Sequence, residues 1–160
     1  MSVSAKGVIP LLRKGYLLAV VVILSLVGCG SSGGGAKTAL PKGCPPDCAG
    51  VSLFRAKLSK VNLQGANLQG ADLGQADLTG ANLSNADLTK ALLTQTDLTG
   101  AKLVGAKLTN ADMKWAVLRG ADLTGADLTG VTISFAPYDR DTKWPQGFDP
   151  KAAGAVLAPK

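Results

Sequence analysis

The sequence predicts an all-β solenoid that turns once every five residues, and three observations carry that expectation. Residues 51–135 are seventeen consecutive five-residue phrases with no gap or insertion. The third residue of the phrase is Leu in fifteen cases, from Leu53 to Leu128, with Met113 and Ile133 completing the row. The first residue is Ala in thirteen of the seventeen, the exceptions being Val51, Val61, Thr96 and Val131. The fifth is Gly at 65, 70, 80, 100, 105, 120, 125 and 130, and Asn at 85 and 110.

A period of five suits neither regular element. On a helix, at about 100° per residue, the leucines would spiral around the cylinder and form no face. On a flat strand an odd spacing sends alternate leucines to opposite sides. The chain must therefore turn within every phrase, so that each Leu and the small residue two before it point the same way. Gly and Asn tolerate the positive φ that such a turn requires. Ala lets the backbone approach the axis while Leu fills it.

Phrases such as Ala71-Asp72-Leu73-Gly74-Gln75, Ala81-Asn82-Leu83-Ser84-Asn85 and Ala121-Asp122-Leu123-Thr124-Gly125 resemble the A(D/N)LXX motif of the pentapeptide-repeat family. The resemblance implies a right-handed quadrilateral β-helix in which four phrases make one square coil. It implies about four coils here, a rod on the order of 20 Å long at the usual strand spacing.

Residues 1–28 read as an export signal. Lys6, Arg13 and Lys14 open it, and Gly15 to Val27 is an apolar run of thirteen residues, shorter than the roughly 20 that span a bilayer. Leu26-Val27-Gly28-Cys29 resembles the bacterial lipobox, which implies cleavage before Cys29 and a lipid on its thiol. A plain membrane anchor, or a cleaved signal with an incidental Cys, is the other reading. Three of the seventeen basic residues and none of the eleven acidic ones lie in 1–28, leaving fourteen against eleven, a net +3. That charge gives no electrostatic case for nucleic acid. The 46% hydrophobic and 4% aromatic content fits a narrow Leu/Ala core. Residues 29–43 follow as a lipidated flexible tether, since the Gly-Ser run has no side chain able to bury.

The repeat domain is placed at 44–135. Cys44 and Cys48 would tend to pair in an oxidising compartment. Cys48 also falls on the inward position of an eighteenth phrase, Pro46-Asp47-Cys48-Ala49-Gly50, where a thiol packs as a small apolar residue. A redox role is a third possibility. With no His in the chain, two Cys cannot close a four-ligand zinc site, and neither metal nor cofactor is expected.

Four phrases per coil make residues twenty apart into neighbours. The second residues then form columns: Asn62, Asn82, Lys102, Asp122 on one face and Asn67, Asp87, Lys107, Asp127 on the next. Opposite charges one strand apart attract. These columns are either a solvated surface worth little per pair or a recognition stripe centred on Lys102 and Lys107. A column of fifth residues, Arg55, Gln75, Gln95, Trp115 and Phe135, puts two aromatics on an outward corner. Either the C-terminal segment folds back over them, or they form a partner-docking patch with Leu92 and Val117, both apolar where Asp or Asn is usual. Thr96, the one polar residue at a first position, is expected to bond a backbone carbonyl.

Residues 136–160 are a C-terminal cap. Pro137, Pro145 and Pro150 cannot donate to a ladder, Tyr138, Trp144 and Phe148 bring bulk, and an open solenoid end needs covering. Tyr138 to Pro150 also resembles the tail that follows the last coil in many bacterial, especially cyanobacterial, members of the family, and Ala-rich Lys151 to Lys160 reads either as a short helical turn or as a fraying end.

Three function classes follow. The first is a non-enzymatic, membrane-tethered protein-binding or scaffolding module at the bacterial envelope. The second is the gyrase-binding DNA mimicry that the family resemblance makes available, set against a net positive chain with an export signal. The third, an enzyme, has no His for proton transfer and no converging carboxylates. A purely structural envelope role is the remaining alternative. The expected partners are a membrane, through the lipid on Cys29, and an unidentified protein. The C-terminal tail argues for a monomer, because family dimers commonly form through that end. Lacking Asp after the lipidated Cys, the protein is placed at the outer membrane facing the periplasm in a two-membrane cell, and otherwise at the cell or thylakoid membrane.

Overall fold

The structure is a computed structural model that describes residues 40–159. The signal at 1–28, Cys29 and most of the tether lie outside the described residues. Within 40–159 every phrase is one side of a four-sided coil, and each side pairs in parallel with the side twenty residues on, from Asp47↔Asn67 through Lys107↔Asp127 and Asp112↔Thr132. We call the sides A to D, beginning with 51–55, 56–60, 61–65 and 66–70.

The repeat works because, in the inner coils, the first, second, third and fifth residues of each phrase all give their backbone N–H to a carbonyl, as a buried chain requires. The first residue donates back across the corner, as from Ala56 N to Leu53 O at 2.9 Å. The second donates to the coil below, as from Asp72 N to Val51 O at 2.9 Å, and the third and fifth donate to the coil above, as from Leu53 N to Asp72 O and Arg55 N to Gly74 O. The fourth is served by a side chain. In all ten phrases with Asp or Asn second, Oδ1 accepts that N–H at 2.9–3.2 Å. The sequence shows these residues only as an outward column, whereas the fold uses them as Asx caps on the turn.

All seventeen fifth residues have positive φ, between 56° and 68°. With the chain turned at each of them, the leucines from Leu63 to Leu118 meet in a continuous stack with no solvent exposure, and Met113 replaces one without opening it. Val stands in for Ala only at 51, 61 and 131, in the first coil and at the start of the turn the cap completes, and all three side chains are half-buried rather than sealed between neighbours. Thr96 is fully buried, and its hydroxyl donates to Leu73 O at 2.7 Å, the carbonyl bond expected of it.

At the N-terminal end the ladder begins one phrase before residue 51. Cys48 N donates to Asn67 O, Gly50 N to Gln69 O, and Cys48 is 3% exposed, so 46–50 is an eighteenth phrase and the first copy of side D. Cys44 is joined to Cys48 by a disulfide with Cα atoms 5.0 Å apart. Cys48 is thus both inward-facing and cross-linked, two readings the sequence treats as alternatives.

At the C-terminal end the ladder outlasts the repeat. Residue 136 is expected to begin a lid, but Ala136 and Tyr138 occupy first and third positions of side B, with Leu118 N donating to Pro137 O. One inserted residue later, Thr142 and Lys143 resume side C, where Leu123 N donates to Lys143 O and Lys143 pairs with Asp122. Thr142 Oγ1 donates to Leu118 O at 2.8 Å, repeating the role of Thr96 two coils further on. The repeat pattern is lost at 136 because its residue types change, while backbone pairing needs only an extended segment with small or bulky apolar inward positions. Strand β1 (Pro137–Tyr138) then pairs in parallel with β2 (Val156–Leu157), the last segment of the cap.

Candidate functional site

The corner between sides A and B carries the one column of fifth residues that contains no Gly. Arg55 Nε donates to Gln75 Oε1 at 2.7 Å and Gln75 Nε2 donates to Gln95 Oε1 at 2.8 Å, a side-chain ladder climbing the coil. The Arg55 guanidinium also lies 5.3 Å from the centre of the Phe54 ring. Above Gln95 the column becomes aromatic. The Trp115 and Phe135 rings stack at 4.5 Å and 16°, 53% and 55% exposed.

The tail returns to this corner at the backbone, where Gly154 O accepts the Phe135 N–H at 2.9 Å, but it leaves both rings about half exposed, so the expectation that it folds back over the aromatic pair is corrected for the side chains. Because the tail follows sides B and C, its inward positions bring Tyr138 and Trp144 over the end of the Leu stack. There Tyr138 meets Trp144 edge-on at 5.4 Å, and Trp144 stacks with Phe148 at 5.3 Å. The cap's aromatics close the core, and the corner's aromatics stay in solvent.

The candidate surface residues do not converge on one site. Leu92 is 47% exposed on side A, paired between Asp72 and Asp112. Val117, half-buried, follows the Trp115 corner on side B and pairs with Asp97. Lys102 lies on side C between Asn82 and Asp122, and Lys107 on side D between Asp87 and Asp127, with Nζ 3.8 Å from Asp87 Oδ2. Trp115, Phe135, Val117 and Leu92 therefore border one corner, while the two lysines occupy the two remaining sides.

The charges on sides C and D serve the ladder. Hydrogen bonds from Thr124, then Lys143 at 3.0 Å, hold the Asp122 carboxyl below its ordinary value. For Asp87 burial acts upward, but Thr89, Gln69 and Lys107 outweigh it and the net shift is downward. Asp127 is lowered by Thr129 and Thr109, and Asp139 first by the Gly120 N–H. Every one of these carboxyls is an ionised acceptor, none is held protonated as a general acid would be. Among the described residues no cluster of three or more His, Cys, Asp or Glu could hold a metal.

A family model described as pentapeptide repeats (8 copies) matches residues 56–95 and 96–134. Among solved structures, the chain is similar to a pentapeptide repeat protein from Nostoc PCC 7120 at 40% identity, over 67% of this chain and 84% of that one, with a TM-score of 0.42. It is similar to a pentapeptide repeat protein of the Arabidopsis thaliana thylakoid lumen at 30% identity, over 59% and 66%, with a TM-score of 0.58. A third, from the cyanobacterium Cyanothece 51142, is 37% identical over 58% and 63%, with a TM-score of 0.46. No curated protein matches the chain.

Proposed function

Because the chain belongs to the pentapeptide-repeat family, whose members form right-handed quadrilateral β-helices, we propose that it is a non-enzymatic binding or scaffolding module that docks a protein on its Trp115–Phe135 corner. Proteins of this family are generally structural or binding modules. The observation that carries the reading is the exposed stacked pair itself, held at two corner positions whose φ is 62°. In the same reading residues 1–28 export the chain, a lipid on Cys29 anchors it to a membrane, and the Gly-Ser stretch lets the solenoid present its corner at variable angles.

Two experiments test the two halves of this proposal. A photo-crosslinking residue placed at Lys114, beside Trp115, is expected to yield one discrete adduct in cells, and the same probe at Thr79 on side B none. Diffuse or absent adducts at both positions overturn the docking reading. Metabolic labelling with a fatty acid is expected to mark the wild type and not Cys29→Ala, and equal labelling of both removes the anchor.

A further inference from the structure

Side D of the last coil, residues 126–130, ends the ladder without a successor. On every lower copy of side D the third and fifth residues donate upward, as Leu108 N does to Asp127 O at 2.8 Å and Asn110 N to Thr129 O at 2.8 Å. The cap supplies the next strand on sides B and C, crosses over side D as the turn at 146–147 without pairing to it, and returns to side A, where Gly154 O accepts the Phe135 N–H. Among the described residues, no backbone group meets the N–H of Leu128 or Gly130, or the carbonyl of Ala126. A groove of about 310 Å³ lies along this edge, between Leu128 and Thr129 on one wall and Pro145, Gln146 and Phe148 on the other.

We propose that this edge binds an extended segment of another protein as one additional side of the coil. The register of the solenoid dictates the contacts: the second residue of the incoming segment gives its N–H to Ala126 O and its carbonyl to Leu128 N, and the carbonyl of its fourth residue accepts from Gly130 N. Its first and third residues face Ala126 and Leu128, the 7% and 8% exposed end of the core, and so must be small and aliphatic. Its second residue lies over Asp127, which has no cation above it. Lys107 takes that place over Asp87 at 3.8 Å, and the cap's own Lys143 takes it over Asp122 at 3.0 Å. The segment is therefore small, basic, aliphatic, in that order. A second copy of this chain does not supply it from its repeats, because its Ala-Lys-Leu phrases at 56–58, 101–103 and 106–108 are already inside the ladder. The mode is strand addition, with main-chain bonds for affinity and alternate side chains for selectivity.

The test is an amide NMR titration of the full chain with the synthetic peptide acetyl-Gly-Ala-Lys-Leu-Thr-Gly-amide. Expected are saturable shifts confined to side D of the last coil and the cap, largest at the Leu128 and Gly130 N–H groups. A peptide with Pro in place of Lys lacks the N–H for Ala126 and carries no charge; it is expected to bind weaker by about tenfold or more, from one lost hydrogen bond together with the lost charge pair. Gln146→Trp, a substitution at an exposed residue that fills the groove, is expected to abolish the shifts. Equal binding of the Pro peptide, or shifts centred on Trp115, overturns the proposal. So do concentration-dependent shifts at Leu128 without peptide, which give the edge to a second copy.

Discussion

Trp115 and Phe135 sit at φ of 62°, where eight of the other fifteen fifth residues of the seventeen phrases are Gly and two are Asn. An L-residue in the left-handed region costs about 1–2 kcal/mol relative to one in the right-handed region, and the stacked pair returns about 0.5–1.5 kcal/mol beyond its buried area. Stacking therefore does not by itself repay two such residues. The double variant Trp115→Gly, Phe135→Gly is accordingly expected to keep thermal stability within about 1 kcal/mol of the wild type while losing the Lys114 adduct. A large drop in melting temperature would instead make the pair a structural element. The opposite case is Gly105, at φ of 65° with Asn85 Oδ1 2.6 Å from where a Cβ would stand. Gly105→Ala meets both the backbone strain and the side chain below it, and is expected to cost about 1–3 kcal/mol in denaturant unfolding. Asn85→Ala in the same chain should recover part of that loss, because it removes the contact and leaves the strain.

A side of the coil is one phrase, and its stability rests on a carboxylate or amide that the sequence presents as surface. Asp77 Oδ1 accepts the Thr79 N–H at 3.0 Å, so Asp77→Ala is expected to cost about 1 kcal/mol, that of a net hydrogen bond. Leu92 and Val117 stand where this cap belongs and show that a side tolerates its loss. Carboxyls lowered in the folded state stabilise it above their unfolded value and lose that contribution as pH falls. Asp87, Asp122, Asp127 and Asp139 are all lowered from 3.8. The melting temperature is thus expected to be level through neutral pH and to fall as pH drops below about 4; a fall beginning near pH 6 would contradict this. The period of five, the inward Ala and Leu, and the corner Gly and Asn were readable from the sequence because each is a steric demand repeated seventeen times. The Asx caps were not, since a hydrogen bond from Asp72 to its own turn and a charge facing solvent leave the same letter. Thr142 was hidden by the single inserted residue that shifts it out of register with Thr96. The fate of Trp115 and Phe135 depended on where a non-repeating tail goes, and no periodicity carries that.

Each coil touches only the coils above and below it, so the solenoid is stabilised as a row of neighbour contacts and is weakest where a neighbour is missing. Its two ends are closed differently. The N-terminal end has the Cys44–Cys48 disulfide, which closes a loop so short that the chain-entropy account gives it about 2 kcal/mol. The C-terminal end has Tyr138, Trp144 and Phe148 packed over the last leucines. Tyr138 is 6% exposed at a position filled by Leu in the coil below, and Tyr138→Ala leaves Leu118 with a cavity above it, at a cost of about 3–5 kcal/mol. Because coupling passes only between neighbours, the loss should be local: amide exchange is expected to speed up in 116–135 and in the cap, while residues 71–100 keep the protection of the wild type. Uniform acceleration along the whole ladder would mean that the solenoid unfolds as a single unit, and the nearest-neighbour account of its stability would fall.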